Sequence, residues 1–395
     1  MSIKELAIAE FCDTGSGGTP DRSKTQYYGG SIPWVKSGEL RESEIIDTEE
    51  KITELGLRES SAKLVPRGSI LLAMYGATVG RMAFLGVDAA TNQAVCNIRP
   101  DPKFADARYV FYGLQSKMGH FLSRAAGGAQ PNISQAIVRE TKLRLPPLDE
   151  QRRIAAILDK ADAMRRKRRR AIELLDSLVQ SIFSHMFGDL VASNVWPRGT
   201  ISNWVADFDT GKNLAPDSDS RNTDGYRVLK VSAVTSGVFL PAESKPLPRN
   251  YEPPVEHLVR KGDLLFSRAN TAELIGATAY VEAEIARMAM PDKIWRFVWN
   301  RTNRPNPHFI HALFSSSHFR RELTKRATGT SGSMKNISKE KVLKIEVAMP
   351  DRSKQDEFTD RSMAVRRAAL LARRQLELME QQFSALQHRA FGGNL

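Results

Sequence analysis

The stretch "PPLDEQRRIAAILDKADAMRRKRRRAIELLDSLVQSIFSHMFGD", residues 146–189, decides how the whole chain is read. A proline pair opens it, and six consecutive basic residues, 165–170, sit near its middle. Apolar side chains recur at spacings of three and four, the period of one helix face. Asp149 stands where a carboxylate can accept from the free amides of a helix start, and Gly188 where a left-handed terminator belongs. About 39 residues lie between them, a rod of roughly 58 Å at 1.5 Å per residue.

The last forty residues read as a second copy of that rod. A shift of 204 takes Asn132-Ile133-Ser134 to Asn336-Ile337-Ser338, Pro146 to Pro350, Gln151 to Gln355 and Phe187-Gly188 to Phe391-Gly392. Ser353 then occupies the place of Asp149. Upstream the offset drifts, as loops of unequal length require: Asp13-Thr14-Gly15 matches Asp209-Thr210-Gly211 at 196, and Lys36 matches Lys230 and Gly68 matches Gly262 at 194. An ordered series of this kind is a duplication.

Each copy begins with a strand-like, turn-rich block, as in residues 68–86 and 262–281. Each block also holds an expected helix (105–124 and 307–326) and ends in an apolar strand, 142–145 or 342–349, running into proline. The rods carry matched stripes. In the first the stripe is Ile154, Leu158, Ala161, Arg165, Arg168, Ile172, Leu175, Val179, Ile182 and Met186. In the second it is Phe358, Ser362, Val365, Ala369, Ala372, Leu376, Met379, Phe383, Leu386 and Ala390. Such stripes should pack on each other as a coiled-coil-like pair. An antiparallel arrangement sets Ile154 opposite Ala390 and brings Arg165 and Arg168 near Glu377 and Glu380. The basic run reads either as a solvated face or as phosphate-contacting.

Composition is globular, with 41% hydrophobic and 26% charged residues, and the formal net charge is +13. That excess points to a polyanionic partner, most often nucleic acid. Two cysteines, Cys12 and Cys96, are too few for a disulfide framework or a thiolate zinc site and read as small buried hydrophobes. No run of eighteen apolar residues occurs, so a cytoplasmic protein with no membrane association is expected.

At this point the chain resembles the specificity subunits of Type I restriction–modification systems. The residues that carry the likeness are "GGTPDRSKTQYYGGSIPWVKSGEL", "GSILLAMYGATVGR", "GGAQPNIS" and "LPPLDEQRRIAAILDKAD", with weaker counterparts "KGDLLFSR", "GTSGSMKNIS" and "MPDRSKQDEF". The resemblance implies an α+β fold with an internal pseudo-twofold repeat. Two mixed α/β target recognition domains, residues 1–147 and 190–351, would be separated by antiparallel coiled-coil-like spacer helices, residues 148–189 and 352–395. It further implies a chain that is not an enzyme and binds no cofactor. It would recognise a bipartite sequence in double-stranded DNA and carry two modification subunits, which hold S-adenosylmethionine. In the full complex a translocating nuclease (restriction) subunit joins. Since the two domains differ in sequence, the target should be asymmetric.

Base edges are read by donors and acceptors, with Arg, Lys, Asn and Gln leading. Polar residues on glycine-rich loops are therefore the expected DNA-binding set. In the first domain these are Arg22, Lys24, Lys36, Ser37, Tyr75, Arg81, Asn92, Gln93 and Gln130. In the second they are Lys212, Asn213, Lys230, Arg268, Asn270, Thr271, Lys293, Arg296, Ser333 and Lys335. The alternative for each is a phosphate contact or none. Asn132 and Asn336 occupy matched places and read as turn caps. Tyr27, Tyr28 and Trp34 read as packing residues rather than base-stacking ones. Apolar residues off the stripe, Ile157, Leu174, Leu178, Leu371 and Leu378, could meet partner subunits or widen the seam.

No phosphate-binding loop is present, since Gly211-Lys212 lacks the earlier glycine and the following Ser or Thr. Asn306-Pro307-His308-Phe309 lacks the second proline of the amino-methyltransferase motif and reads as a helix start. Two rival readings remain at this level. One is a metal-dependent nuclease built on Pro216-Asp217 and Glu243-Ser244-Lys245; the other is a stand-alone DNA-binding scaffold.

Overall fold

A computed structural model describes residues 4–40, 44–124, 132–213, 225–329 and 334–392. The chain forms two compact units, Met1–Arg170 with Arg374–Leu395, and Ala171–Arg373. Each unit thus holds one strand-rich block and half of each long helix, Leu148–Phe187 and Arg352–Gly392. Among the described residues no helix is long and apolar enough to cross a membrane.

The first unit is built on a five-stranded sheet in the order Cys12–Ser16, Val95–Pro100, Ile70–Ala73, Met82–Leu85, Glu44–Ile45. The second repeats its core in four strands, Val205–Thr210, Ile294–Trp299, Leu264–Ser267, Thr278–Tyr280. A short antiparallel pair precedes each long helix, Lys4–Ala7 with Lys142–Leu145 and Arg198–Thr200 with Glu346–Ala348.

Strand register corrects one repeat offset. Ser16 lies opposite Cys96 and Leu72 opposite the same residue, while Thr210 and Phe266 both lie opposite Trp295. Ser16 therefore corresponds to Thr210 and Gly17 to Gly211, at 194 rather than 196. The Asp-Thr-Gly match was a coincidence of letters. A bulge between Val205 and Asp207 adds the one residue that separates this offset from that of the preceding strand.

The long helices run antiparallel within each unit, because partner numbers fall on one as they rise on the other. In the first unit the Arg165 guanidinium lies 4.0 Å from the Phe383 ring centroid and 2.8 Å from Glu380, which also pairs with Arg169. In the second, Arg373 pairs with Asp176 at 2.6 Å. A shift of 204 takes Arg169 to Arg373 and Asp176 to Glu380, so these are one ion pair written twice. Arg165 has no such mate, since Ala369 stands in the corresponding place. Its side chain is only 9% exposed, and Asp162 at 3.4 Å adds a second carboxylate. The basic run is thus neither wholly solvated nor free, as Arg166 also pairs with Asp162. Arg168 is half-buried, and neither it nor Glu377 joins an ion pair among the described residues.

Stripe residues divide by depth. Ile154, Leu158, Ile172, Phe358 and Phe383 are buried, whereas Ala161, Leu175, Val179, Ile182, Val365, Leu376, Met379 and Leu386 are half-buried. Ile154, Leu158, Phe383 and Ala390 belong to the core of the first domain. Phe183 and Phe187, which lie off the stripe, join Phe358 and Phe309 in the core of the second. Each rod therefore packs on its partner and on a domain at once.

Several local expectations shift. The first long helix starts at Leu148, one residue before Asp149, and Asp351 rather than Ser353 caps the second, accepting from the Lys354 amide at 2.9 Å. Gly188 terminates its helix at φ +62°, whereas Gly392 is still helical. The expected helices at 105–124 and 307–326 each break in two, the second at Ser316, which caps Ser317–Arg326. Only Glu346–Ala348 of 342–349 is strand, because Val342 belongs to the helix Lys339–Leu343.

Burial separates the two ion pairs in worth. Glu380→Ala leaves the buried Arg165 with a poorer partner and should cost about 1–3 kcal/mol. Asp176→Ala breaks an exposed pair and should cost at most about 1 kcal/mol. Urea midpoints of the intact chain test this, and equal losses would show that Arg165 draws nothing from Glu380.

Candidate nucleic-acid interface

The loops that hold most of the expected DNA-binding residues rest on a backbone frame that both units share. At its centre are close approaches. A Cβ added at Gly17 would lie under 3.0 Å from the Thr91 carbonyl oxygen, and one added at Gly211 equally close to that of Met290. The turn after the central strand closes through Gly80 (φ +82°) in one unit and Gly276 (φ +78°) in the other. Their amides donate to Ala73 and Ser267 at 2.8 Å. Left-handed backbone and a carbonyl against the α-carbon both demand glycine.

The Asn-Ile-Ser motif completes the frame. Asn132 bridges to Tyr75 and Asn336 pairs with Ala269, while the Ile133 and Ile337 amides donate to Met74 and Arg268. Ser134 and Ser338 then cap short helices. The motif thus docks one loop on another, a structural role wider than the expected turn cap. Tyr27 and Trp34 are buried, and the Trp34 indole donates to Gly18 at 3.1 Å, in keeping with packing roles. Cys12 and Cys96 are also buried.

Many expected DNA-binding cations are matched by carboxylates of their own unit. Arg22 reaches Glu50 at 2.6 Å and lies over the Tyr28 and Trp34 rings. Lys36 bonds Glu50 and Glu49 at 2.9 and 3.1 Å. Hydrogen bonds from Arg22 and then Lys36 hold the Glu50 carboxyl below its ordinary pKa. Lys24 donates to the Tyr27 hydroxyl. In the second unit Lys230 pairs with Glu243, Arg268 with Asp292, and Arg296 with Asp209 and Asp263 as well as two carbonyls.

The remaining members differ. Arg81, Lys212, Asn213 and Thr271 are exposed, as is Gln93, which accepts from Thr19. Ser37, Tyr75, Asn92, Asn270 and Lys293 are half-buried, and the Lys335 ammonium donates to the Gly329 carbonyl. Gln130 and Ser333 lie outside the described residues.

Two elements escaped sequence reasoning. Gln151 and Gln355, found only as a repeat match, are buried at the first turn of each long helix. Each accepts from the amide of a domain-helix cap, Asp106 or Asn306, and donates to the preceding proline carbonyl. Asn306 caps its helix as expected of a helix start. Of the residues in the nuclease reading, Glu243 is held by Ser232 and Lys230, and Asp217 lies outside the described residues.

Two copies of one α+β module, each completed by halves of two paired helices, define a duplicated recognition protein. Residues 2–174 match the Type I restriction modification DNA specificity domain. The chain is 24% identical over 391 residues to the Type I restriction enzyme MjaVIII specificity subunit of Methanocaldococcus jannaschii, covering 95% of this chain and 88% of that one. It is 29% identical over 187 residues to the MjaIX specificity subunit of the same organism, covering 46% of this chain and 43% of that one, less than half the relative's length. The fold matches the Type I restriction–modification S subunit from M. genitalium with a TM-score of 0.57 at 14% identity, over 99% of this chain and 96% of that one. The chain is thus similar over nearly its whole length to the DNA specificity subunits of Type I restriction–modification systems, a family that is non-catalytic and binds no cofactor itself.

The glycine frame is testable. Gly17→Ala and Gly211→Ala should each lower stability by about 1–3 kcal/mol, the usual cost of overpacking. Gly119→Ala, in the helix Met118–Arg124 with nothing near the new methyl, should be neutral or slightly stabilising. Thermal melts of the three variants give the comparison.

Proposed function

We propose that this chain recognises an asymmetric, split sequence in double-stranded DNA. Residues 1–147 read one half and residues 190–351 the other, while the paired helices set the spacing between them. The observation that carries this reading is the shared frame, with Gly17 and Gly211, Gly80 and Gly276, and the Asn-Ile-Ser motif holding different side chains in the two domains. One backbone geometry bearing two sets of polar groups suits two half-sites of unlike sequence. Linking the readers makes the second contact intramolecular and raises its effective concentration. The positive net charge supplies the nonspecific attraction to phosphate.

The chain also tethers two modification subunits, related by the pseudo-twofold of the repeat. These supply S-adenosylmethionine and the extrusion pocket for the methylated base, and a restriction subunit joins them. Leu174, Leu178, Leu371 and Leu378 lie on the helices with side chains 40–60% exposed, which suits burial by a partner. Ile157 is half-buried. Work on chromosomal DNA places the protein in the cytoplasm.

Co-expression with modification subunits, followed by mapping of methylated adenines, should return one bipartite motif. Inserting one helical turn of about four residues (~6 Å) after both Arg170 and Arg373 should lengthen the spacer by about one or two base pairs and leave both half-sites unchanged. Altered half-sites, or a spacer that does not respond, would refute the ruler.

A further inference from the structure

Comparing the two frames hydrogen bond by hydrogen bond isolates two positions where chemistry differs and geometry does not. In the first unit the Ala73 amide donates to the Arg81 carbonyl and the Met74 amide to the Ala94 carbonyl, both at 2.8 Å. In the second, the Ser267 amide donates to the Ala277 carbonyl at 2.8 Å and the Arg268 amide to the Lys293 carbonyl at 3.1 Å. Arg81 thus corresponds to Ala277, and Ala94 to Lys293. Each unit places one cation where the other has a buried alanine.

These two cations differ from most of the others in the loops. Arg22, Lys36, Lys230, Arg268 and Arg296 are held by carboxylates of their own unit. Reaching a base would cost them that pairing. Arg81 is exposed and Lys293 half-buried, and neither side chain has an ion pair or hydrogen bond among the described residues. Their backbones are fixed at the end of the central strand by the bonds above, so each side chain starts from a defined point. A cation that is anchored, unpaired and absent from the equivalent place in the other unit is what reading unlike half-sites requires. A cation common to both units cannot by itself make the two half-sites differ.

We infer that Arg81 and Lys293 are half-site-specific readers, each contacting the O6 and N7 edge of a guanine in the major groove, Arg81 in one half and Lys293 in the other. The inference rests on the proposed function and refines it. Arginine and lysine meet guanine at these two acceptors more often than they meet any other base edge.

The alanine substitutions carry their own folding control, because the same frame already accepts alanine at 277 and 94. The intact complex with modification subunits is used, and methylated adenines are mapped genome-wide for wild type, Arg81→Ala and Lys293→Ala. Arg81→Ala should make one guanine position of one half-site degenerate, with discrimination there falling about 10-fold to 100-fold, and leave the other half untouched. Lys293→Ala should do the converse. Arg81→Gln keeps the aliphatic stem and serves where an alanine variant fails to accumulate; it should shift the preference at that position from guanine toward adenine.

An unchanged motif with modification weakened alike at every site, and a shallower salt dependence of binding, would mean phosphate contact and overturn the assignment. So would changes in both halves from either variant, or full loss of modification by a folded, assembled complex. A wild-type complex that yields no bipartite motif would remove the proposed function and this inference together. A clear wild-type motif indifferent to both variants removes only the inference.

Discussion

Each long helix must hide its apolar face, and it does so by dividing that face between two cores. Ile154 and Leu158, from the first half of one rod, join Phe383 and Ala390, from the last half of the other, within the core of the first domain. Phe183 and Phe187 join Phe358 in the core of the second. Burying each phenylalanine is worth about 1.5–3 kcal/mol, so neither core is complete without both rods. One copy of the repeat, a block and a single helix, would leave half of its rod wet. Duplication closes the ledger of exposed surface within one chain.

The middle of the seam is built differently from its ends. Ala369, Ala372 and Ile172 are buried in one unit, whereas in the other the Arg165 guanidinium lies over the Phe383 ring. A buried charge is a weak source of stability but a strong constraint on register, because sliding the helices would separate it from Glu380. The pair Arg169–Glu380 recurs as Arg373–Asp176 at the repeat offset, while Arg165 has no counterpart. The two halves of the seam are therefore alike in spacing and unlike in chemistry, as are the two sets of loops.

What could be read in advance followed from periodicity. The offset of 204, the rod, its apolar stripe and Gly188 as terminator all depend on local rules, which a sequence expresses directly. Contacts between distant segments were illegible. Phe183 sits one residue from Ile182 and so points about a quarter-turn away, toward a domain whose surface the stripe cannot reveal. Asp13-Thr14-Gly15 looked equivalent to Asp209-Thr210-Gly211 until strand pairing showed that Gly17, not Gly15, is the counterpart of Gly211, Gly17 facing the Thr91 carbonyl and Gly211 that of Met290. The basic residues of the loops were visible, but Glu50, which occupies both Arg22 and Lys36, lies 28 and 14 residues away from them.

That last blindness has a physical lesson for a protein with a net charge of +13. Counting cations on loops identifies a polyanion binder, yet it cannot separate a cation held by its own domain from one available to a ligand. The distinction lies in geometry. Arg296 anchors two carboxylates and two carbonyls, and moving it would leave Asp263, whose carboxyl is already raised in pKa by burial, without its counter-charge. A buried carboxylate of that kind fixes its arginine as firmly as the arginine fixes it. The duplicated frame adds a second filter, because positions with identical backbone bonds and different side chains are those a split, asymmetric target can exploit. Applied together, internal neutralisation removes the structural cations and the repeat removes the shared ones.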